Sequence, residues 1–412
     1  MQQHTIAWSE DDAPQEALWR SERGDAPPKR VQFADDTLSA DSAYKLASEG
    51  VGLLWRGDFQ NAKHLIAALE RRLDKRNDKR GSRKPAPQSK PSTPADLGAI
   101  FYRHRQAQAQ RARVLSMVLL PFQADYGIAL RRAPDVRLAC SEAWGAADAT
   151  LKTEKTHSVA SLRELLGIIS AHEWRKKGVE ISALNRNKKG IPERIHAHYG
   201  VFSPVRQEYV ELVREAALPT SPSPEKLIAF DIGTGTGVLS CVLAQRGVGQ
   251  IVATDLDARA LVCAKENIQR LVGGRQVKLV EADLFPDVAT HGLAHLIVCN
   301  PPWLPGTPSS SLERAVYDPS SQMLRGFLQG VPKHLAPGGQ AWLILSDLAE
   351  HLGLRKAEEL QEMIKAAGLQ VTQHLRTQPR HPKASDASDP LHAARAAETT
   401  CLWCLTPAKT AV

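Results

Sequence analysis

The chain has 412 residues, 42% of them hydrophobic and 24% charged, with a formal net charge of +8. That length exceeds one ordinary domain, and the composition excludes a fibrous or wholly disordered chain. No apolar run approaches the length of a membrane span. The N-terminal stretch MQQHTIAWSEDDAPQEALW is acidic and has no apolar core, which argues against a secretory signal or a transit peptide.

Residues 1–40 are polar and short of periodic apolar positions, so a mostly disordered tail is expected there. From 41, apolar residues recur at helical spacing through LIAALERRL, and again through FYRHRQAQAQRARVLSMVLLPF and around 158–171. These patterns predict a helical accessory domain over 41–171, interrupted by a Pro/Ser/Lys linker at 81–95. Residues 71–90 carry nine Lys/Arg against two Asp. Such a run suits nucleic acid, a ribosome or another polyanion, or forms a solvated helix end without interleaved aromatics.

Residues 172–205 are basic and rich in turn formers, and read as a bridge that contains His196, His198 and Tyr199. From 206 to 412 the pattern becomes strict. LIAFDI, QIVATD, QVKLVEAD, AHLIVCN and QAWLILSD are short buried strands separated by helical segments. LQVTQHLRT and TTCLWCLT form a last pair around a polar stretch at 379–396. Alternating strands and helices predict an α/β fold, a seven-stranded, mostly parallel Rossmann-like sheet with one antiparallel edge.

The cysteines (Cys140, Cys241, Cys263, Cys299, Cys401, Cys404) are scattered through these elements. That usage predicts reduced, structural thiols in a cytoplasmic protein. The single CxxC at Cys401 and Cys404 lacks a second half, and the HxH at His196 and His198 stands alone, so no metal is expected.

In FDIGTGTG a glycine-rich turn follows the first of these strands, with Asp231 ahead of Gly233, Gly235 and Gly237. Ligands of open α/β sheets bind beyond the carboxyl ends of the strands, and glycines let the backbone approach them closely. Asp255 ends the second strand, where a carboxylate can accept both hydroxyls of a ribose. Asp283 follows the third, where it can receive an adenine amino group. Carboxylates at three successive strand ends suit a nucleoside bearing a cationic group and repel a pyrophosphate. Asn300-Pro301-Pro302-Trp303 ends the fourth strand. The asparagine oxygen and the Pro301 carbonyl can take the two N–H bonds of a planar amino group, prolines supply no competing donor, and Trp303 offers a flat face. The loop at 304–321 that follows could close over a substrate.

FDIGTGTG, ATDLD, VEADLF and CNPPW, in this order, resemble the class I S-adenosylmethionine-dependent methyltransferases. They are similar to the branch that methylates amino groups on planar carbon, which includes release-factor glutamine, ribosomal RNA and DNA adenine enzymes. The resemblance spans about residues 199–406. It implies that Asp231, Gly233, Gly235 and Gly237 hold the methionine moiety of S-adenosylmethionine, Asp255 the ribose and Asp283 the adenine. It implies that Asn300, Pro301, Pro302 and Trp303 hold the acceptor, although that branch usually carries tyrosine or phenylalanine at the last position. The expected substrate is a nucleobase in ribosomal RNA or another nucleic acid, with a protein glutamine as the alternative. A nicotinamide-dependent oxidoreductase is the remoter reading and leaves Asn-Pro-Pro-Trp unexplained; a non-catalytic binding protein is a third.

Overall fold

The computed structural model describes residues 4–81, 94–147, 156–185, 192–220, 222–308, 310, 312–380 and 389–408, the side chains of 76–81 and 94–96 excepted. The chain forms two units, Met1–Pro91 with Tyr102–Glu173 and Ser92–Phe101 with Trp174–Val412.

The first unit corrects two expectations. Residues 4–40 are not a disordered tail but contain strands His4–Glu10, Ala13–Arg20 and Arg30–Ala34. Asp11 and Asp12 both adopt left-handed φ values, 49° and 60°. That two-residue turn matches the twist of the antiparallel pair on either side of it, Glu10 facing Ala13. Alternate residues Ile6, Trp8, Ala17 and Trp19 are buried in one apolar cluster. Nor is 41–171 purely helical. Val51–Trp55, Val118–Phe122 and Ser158–Ser161 complete a six-stranded mixed sheet, in which the latter two lie between Ala13–Arg20 and Val51–Trp55. All five residues of Val51–Trp55 are buried, and so short an apolar run has no period to separate a strand from a buried helix. Helices Ala40–Ser48, Phe59–Gly81 and Arg137–Trp144 accompany the sheet. The linker expected at 81–95 lies, except at its ends, outside the described residues.

One half-buried acid in this unit makes stability depend on pH. Glu164 accepts the backbone N–H of Glu22 at 2.9 Å, and burial pushes its carboxyl up to about 7 from an ordinary 4.5. The folded state therefore keeps this proton to higher pH than the unfolded chain does. The associated stability is fully present below about pH 4.5 and is lost as pH rises through about 7. Glu164→Gln is expected to raise the melting temperature at about pH 8 and leave it little changed at about pH 4. Equal shifts at both pH values in thermal denaturation would contradict this.

The second unit carries the sheet that positions the site. Its strands are β1 (Ile228–Ile232), β2 (Gln250–Asp255), β3 (Val277–Glu281), β4 (Ala294–Cys299), β5 (Leu335–Ser346), β6 (Leu369–Thr377) and β7 (Thr400–Pro407). They lie in the order β3-β2-β1-β4-β5-β7-β6. The first five in that order run parallel, and β7 is antiparallel to both neighbours. Helix Val238–Gln245, which follows the glycine turn, is buried from Val238 through Ala244, so it serves as core and not as surface cover. One apolar layer contains Trp342 and this helix; the other contains Phe230, Phe327 and helix Glu359–Ala366. Full burial of such side chains contributes roughly 1.5–3 kcal/mol each. The order of strands reverses between β1 and β4, and a ligand cleft in such a sheet opens at that point.

Candidate functional site

Ile232 on β1 pairs with Cys299 on β4. The next residues, Gly233 and Asn300, therefore leave the sheet side by side, on strands about 4.8 Å apart. The glycine turn and the Asn-Pro-Pro-Trp segment thus flank one opening, though more than sixty residues separate them along the chain.

The turn is held from below by Asp231, which is 1% exposed. Its Oδ2 accepts the Thr234 hydroxyl at 2.8 Å, the Ser240 hydroxyl at 2.6 Å and the Ser240 backbone N–H at 3.1 Å. Burial raises its carboxyl above the ordinary range, against the pull of these donors. One of its oxygens is therefore committed to the protein's own turn.

Gly233, Gly235 and Gly237 have φ values of 70°, 54° and 78°, a region that residues with a Cβ resist. A Cβ on Gly237 would lie 3.0 Å from Ile268 Cδ1 and 3.2 Å from Ala264 Cα, against the helix Ala258–Val272. A Cβ on Gly235 would meet nothing within 4 Å, so this glycine faces open space where a ligand can approach. Gly237→Ala is accordingly expected to lower the thermal midpoint. Gly235→Ala carries only backbone strain of about 1–2 kcal/mol and should weaken ligand binding more than it weakens the fold. Calorimetry beside thermal denaturation checks the contrast; the opposite ranking would refute it.

Asp255, at the end of β2, accepts the Gly235 N–H on Oδ2 at 2.9 Å and the Asp257 N–H on Oδ1 at 3.0 Å. Each oxygen retains a lone pair, so the group can still receive two hydroxyls. Burial raises its carboxyl above the ordinary range. Asp283 is exposed beyond the end of β3. Its neighbour Leu284 has a φ of 69° and accepts the Thr254 hydroxyl at 2.5 Å, which ties this loop to β2.

Asn300 is half-buried, and Pro301 and Pro302 are buried. The Asn300 Oδ1 accepts the indole N–H of Trp303 at 2.9 Å. The Arg206 guanidinium lies 4.8 Å from the centre of the Trp303 ring. This alters the expectation that Trp303 offers a free stacking platform: the ring face toward Arg206 is taken, and its N–H is spent on Asn300. Arg206 donates in turn to Glu208 at 3.0 Å and to Glu398 at 2.9 Å, and both carboxylates are 3% exposed. Arg355, 5% exposed, reaches the Trp303 carbonyl at 3.5 Å. Spacing alone did not reveal Arg206, Glu208, Glu398 or Arg355. They are distant in sequence, and only the tertiary fold brings them to the segment.

In the loop after the segment, Leu304 pairs with Tyr317. Leu304 packs with Phe101, Leu348, Leu352 and Leu391. Within the stretch 379–396, residues 381–388 lie outside the described residues and His392–Ala397 is a helix.

The remaining groups singled out in the sequence do not join this site. His196 Nδ1 bonds the Arg175 carbonyl at 2.6 Å, and His198 Nε2 bonds Glu266 at 2.7 Å, so each fixes its own segment. Cys401 and Cys404 are buried free thiols on β7, which burial pushes up to about 12 and about 11. Among the described residues, no group of three or more His, Cys, Asp or Glu could hold a metal, and no helix is long and apolar enough to cross a membrane.

Residues 193–373 match the model of a family described as the methyltransferase small domain. A release factor glutamine methyltransferase of Cereibacter sphaeroides is 30% identical over 152 residues, 34% of this chain and 51% of that protein. A tRNA1(Val) (adenine(37)-N6)-methyltransferase of Shewanella loihica is 30% identical over 132 residues, 30% of this chain and 54% of that protein. A release factor glutamine methyltransferase of Bordetella pertussis is 29% identical over 170 residues, 39% of this chain and 60% of that protein. The chain thus spans only 51% to 60% of the length of these relatives.

Proposed function

We propose that this protein, whose residues 193–373 match the model of the methyltransferase small domain, is an S-adenosylmethionine-dependent N-methyltransferase acting on an amino group attached to a planar carbon. The observation that carries the reading is the juxtaposition of Asn300 with the glycine turn across β4 and β1. The asparagine oxygen spends one lone pair on the Trp303 indole N–H, and the other lies where a methyl donor seated on the turn would meet its acceptor.

The residues present fit the cofactor. Gly235 opens to free space, Asp255 keeps acceptor capacity for two ribose hydroxyls, and exposed Asp283 suits an adenine amino group. Asp231 would contribute by holding the turn in shape, with Gly233 and Gly237 shaping the rest of it. S-adenosylmethionine supplies an electrophilic methyl group when bound.

The chain's own work is to aim a poor nucleophile. The lone pair of an amide or nucleobase amino group is delocalised into its π-system. Asn300 Oδ1, through the lone pair not used by Trp303, and the Pro301 carbonyl would take the two N–H bonds and favour a tetrahedral nitrogen. Pro302 keeps the turn rigid and adds no donor. No strong base is needed, because the nitrogen becomes acidic as the new bond forms. Positioning and electrostatics supply the rate.

For the acceptor we favour a nucleobase in ribosomal RNA or another nucleic acid, because the net charge of +8 and the run at 71–90 suit a polyanion. The alternative is a protein glutamine, the acceptor named in two of the relatives above. Six free, buried cysteines support a reducing, cytoplasmic setting. Calorimetry with S-adenosylmethionine and with NADH tests the cofactor. Heat with the former alone is expected; heat only with NADH would overturn the proposal.

A further inference from the structure

We propose that Trp303 is a positioning residue that acts through Asn300, its indole N–H holding the asparagine amide in the one orientation able to receive an acceptor amino group. The inference rests on the methyltransferase reading above and deepens it.

A side-chain amide has two nearly isosteric orientations, one presenting oxygen and the other presenting two N–H donors. Only the first can accept an N–H from a planar amino group. In this chain the choice is made by a donor three residues away, the Trp303 indole, 2.9 Å from Asn300 Oδ1. Turning the amide over would set N–H against N–H and break that bond. The buried Pro301 and Pro302 between the two residues carry no N–H that could compete for the same oxygen.

The indole is itself fixed. Arg206 lies over its ring at 4.8 Å, and a cation there polarises the π-system and favours its N–H as a donor. The guanidinium is pinned by two buried carboxylates, Glu208 and Glu398. Glu398 also accepts the Ser346 hydroxyl at 2.5 Å, which ties the arrangement to the end of β5. Buried Arg206 Nη2 has no hydrogen-bond partner, and the centre of the guanidinium faces the ring. Three separate segments, around 206, 300–303 and 398, thus converge to set one amide. A packing role alone would need the ring but not its N–H, and Trp303→Phe separates the two.

The experiment uses the full chain, labelled with nitrogen-15. The Trp303 indole resonance is identified by its loss in Trp303→Phe. It is expected to be downfield and protected from solvent exchange in the parent chain, and to move upfield and exchange faster in Asn300→Ala. Trp303→Phe is expected to keep S-adenosylmethionine affinity within about twofold and to leave KM for the methyl acceptor nearly unchanged. Its kcat should fall about 10- to 100-fold, the scale of effect of a misaimed reacting group. The acceptor in these assays is whichever macromolecular fraction the parent chain labels in lysate from cells lacking the protein. A resonance unmoved by Asn300→Ala, or a Trp303→Phe chain with undiminished kcat, overturns the positioning role and leaves the methyltransferase reading intact. A parent chain that binds no S-adenosylmethionine overturns the methyltransferase reading, and the positioning role with it.

Discussion

Asn300→Ala is expected to bind S-adenosylmethionine as the parent chain does and to lose about 10²- to 10³-fold in methyl transfer, the usual cost of removing one preorganised polar partner of a transition state. The expectation follows from place and from chemistry. Asn300 lies beside the glycine turn, one residue beyond the pairing of Cys299 with Ile232 that Gly233 follows, yet its side chain forms no part of the turn's own hydrogen bonds. Its oxygen bonds Trp303 and keeps one lone pair for the acceptor. Removing the side chain takes away an acceptor for one N–H and the group that orients the nitrogen. It leaves Asp231, Asp255 and the glycines untouched. Calorimetry and single-turnover label transfer separate the two effects. Unchanged turnover would remove Asn300 from the mechanism, and lost cofactor affinity would place it in the wrong half of the site.

Asp231→Ala should act on the fold and the cofactor together. Its Oδ2 collects two hydroxyls and a backbone N–H in a site that is 1% exposed. Each buried donor left without a partner costs roughly 1–3 kcal/mol, so a total loss of about 3 kcal/mol or more is expected. For a unit of this size that corresponds to a fall in melting temperature of roughly 6–12 °C. The turn would relax, and S-adenosylmethionine affinity would fall with it. Ser240→Ala removes a single hydroxyl donor and should show a smaller version of both effects. If Asp231→Ala melts within about 2 °C of the parent chain, the carboxylate is not what supports the turn.

These two residues were legible in the sequence because their settings are local. Asp231 and Asn300 lie at strand ends, and buried parallel strands announce themselves as short apolar runs bounded by turns. The sheet of the second unit, including its antiparallel edge, follows from that pattern. The first unit hid its strands for the opposite reason. His4–Glu10 and Ala13–Arg20 bury few side chains each, Ile6 and Trp8 on one and Ala17 and Trp19 on the other, among acidic neighbours that read as a solvated tail. Val51–Trp55 buries every residue and so shows no alternation at all.

The surroundings of Trp303 were hidden for a third reason. Its side chain could be read as an exposed flat ring, but its direction depends on Arg206, Glu208 and Glu398. No spacing links these residues, and only the folded sheet places a guanidinium over that ring. Asp255 and Asp283 fall between the extremes. Both positions could be read from the ends of strands, whereas the Gly235 N–H already bound to Asp255 required coordinates.

The most direct measurement of the central claim is transfer of a tritiated methyl group from S-adenosylmethionine into lysate from cells lacking the protein, followed by digestion with RNase, DNase or protease. The account predicts macromolecular label that depends on Asn300 and is released by RNase. Release by protease would move the acceptor to a protein glutamine, and release by DNase to a DNA base. Absence of any label, with the parent chain folded and S-adenosylmethionine in excess, would contradict the account.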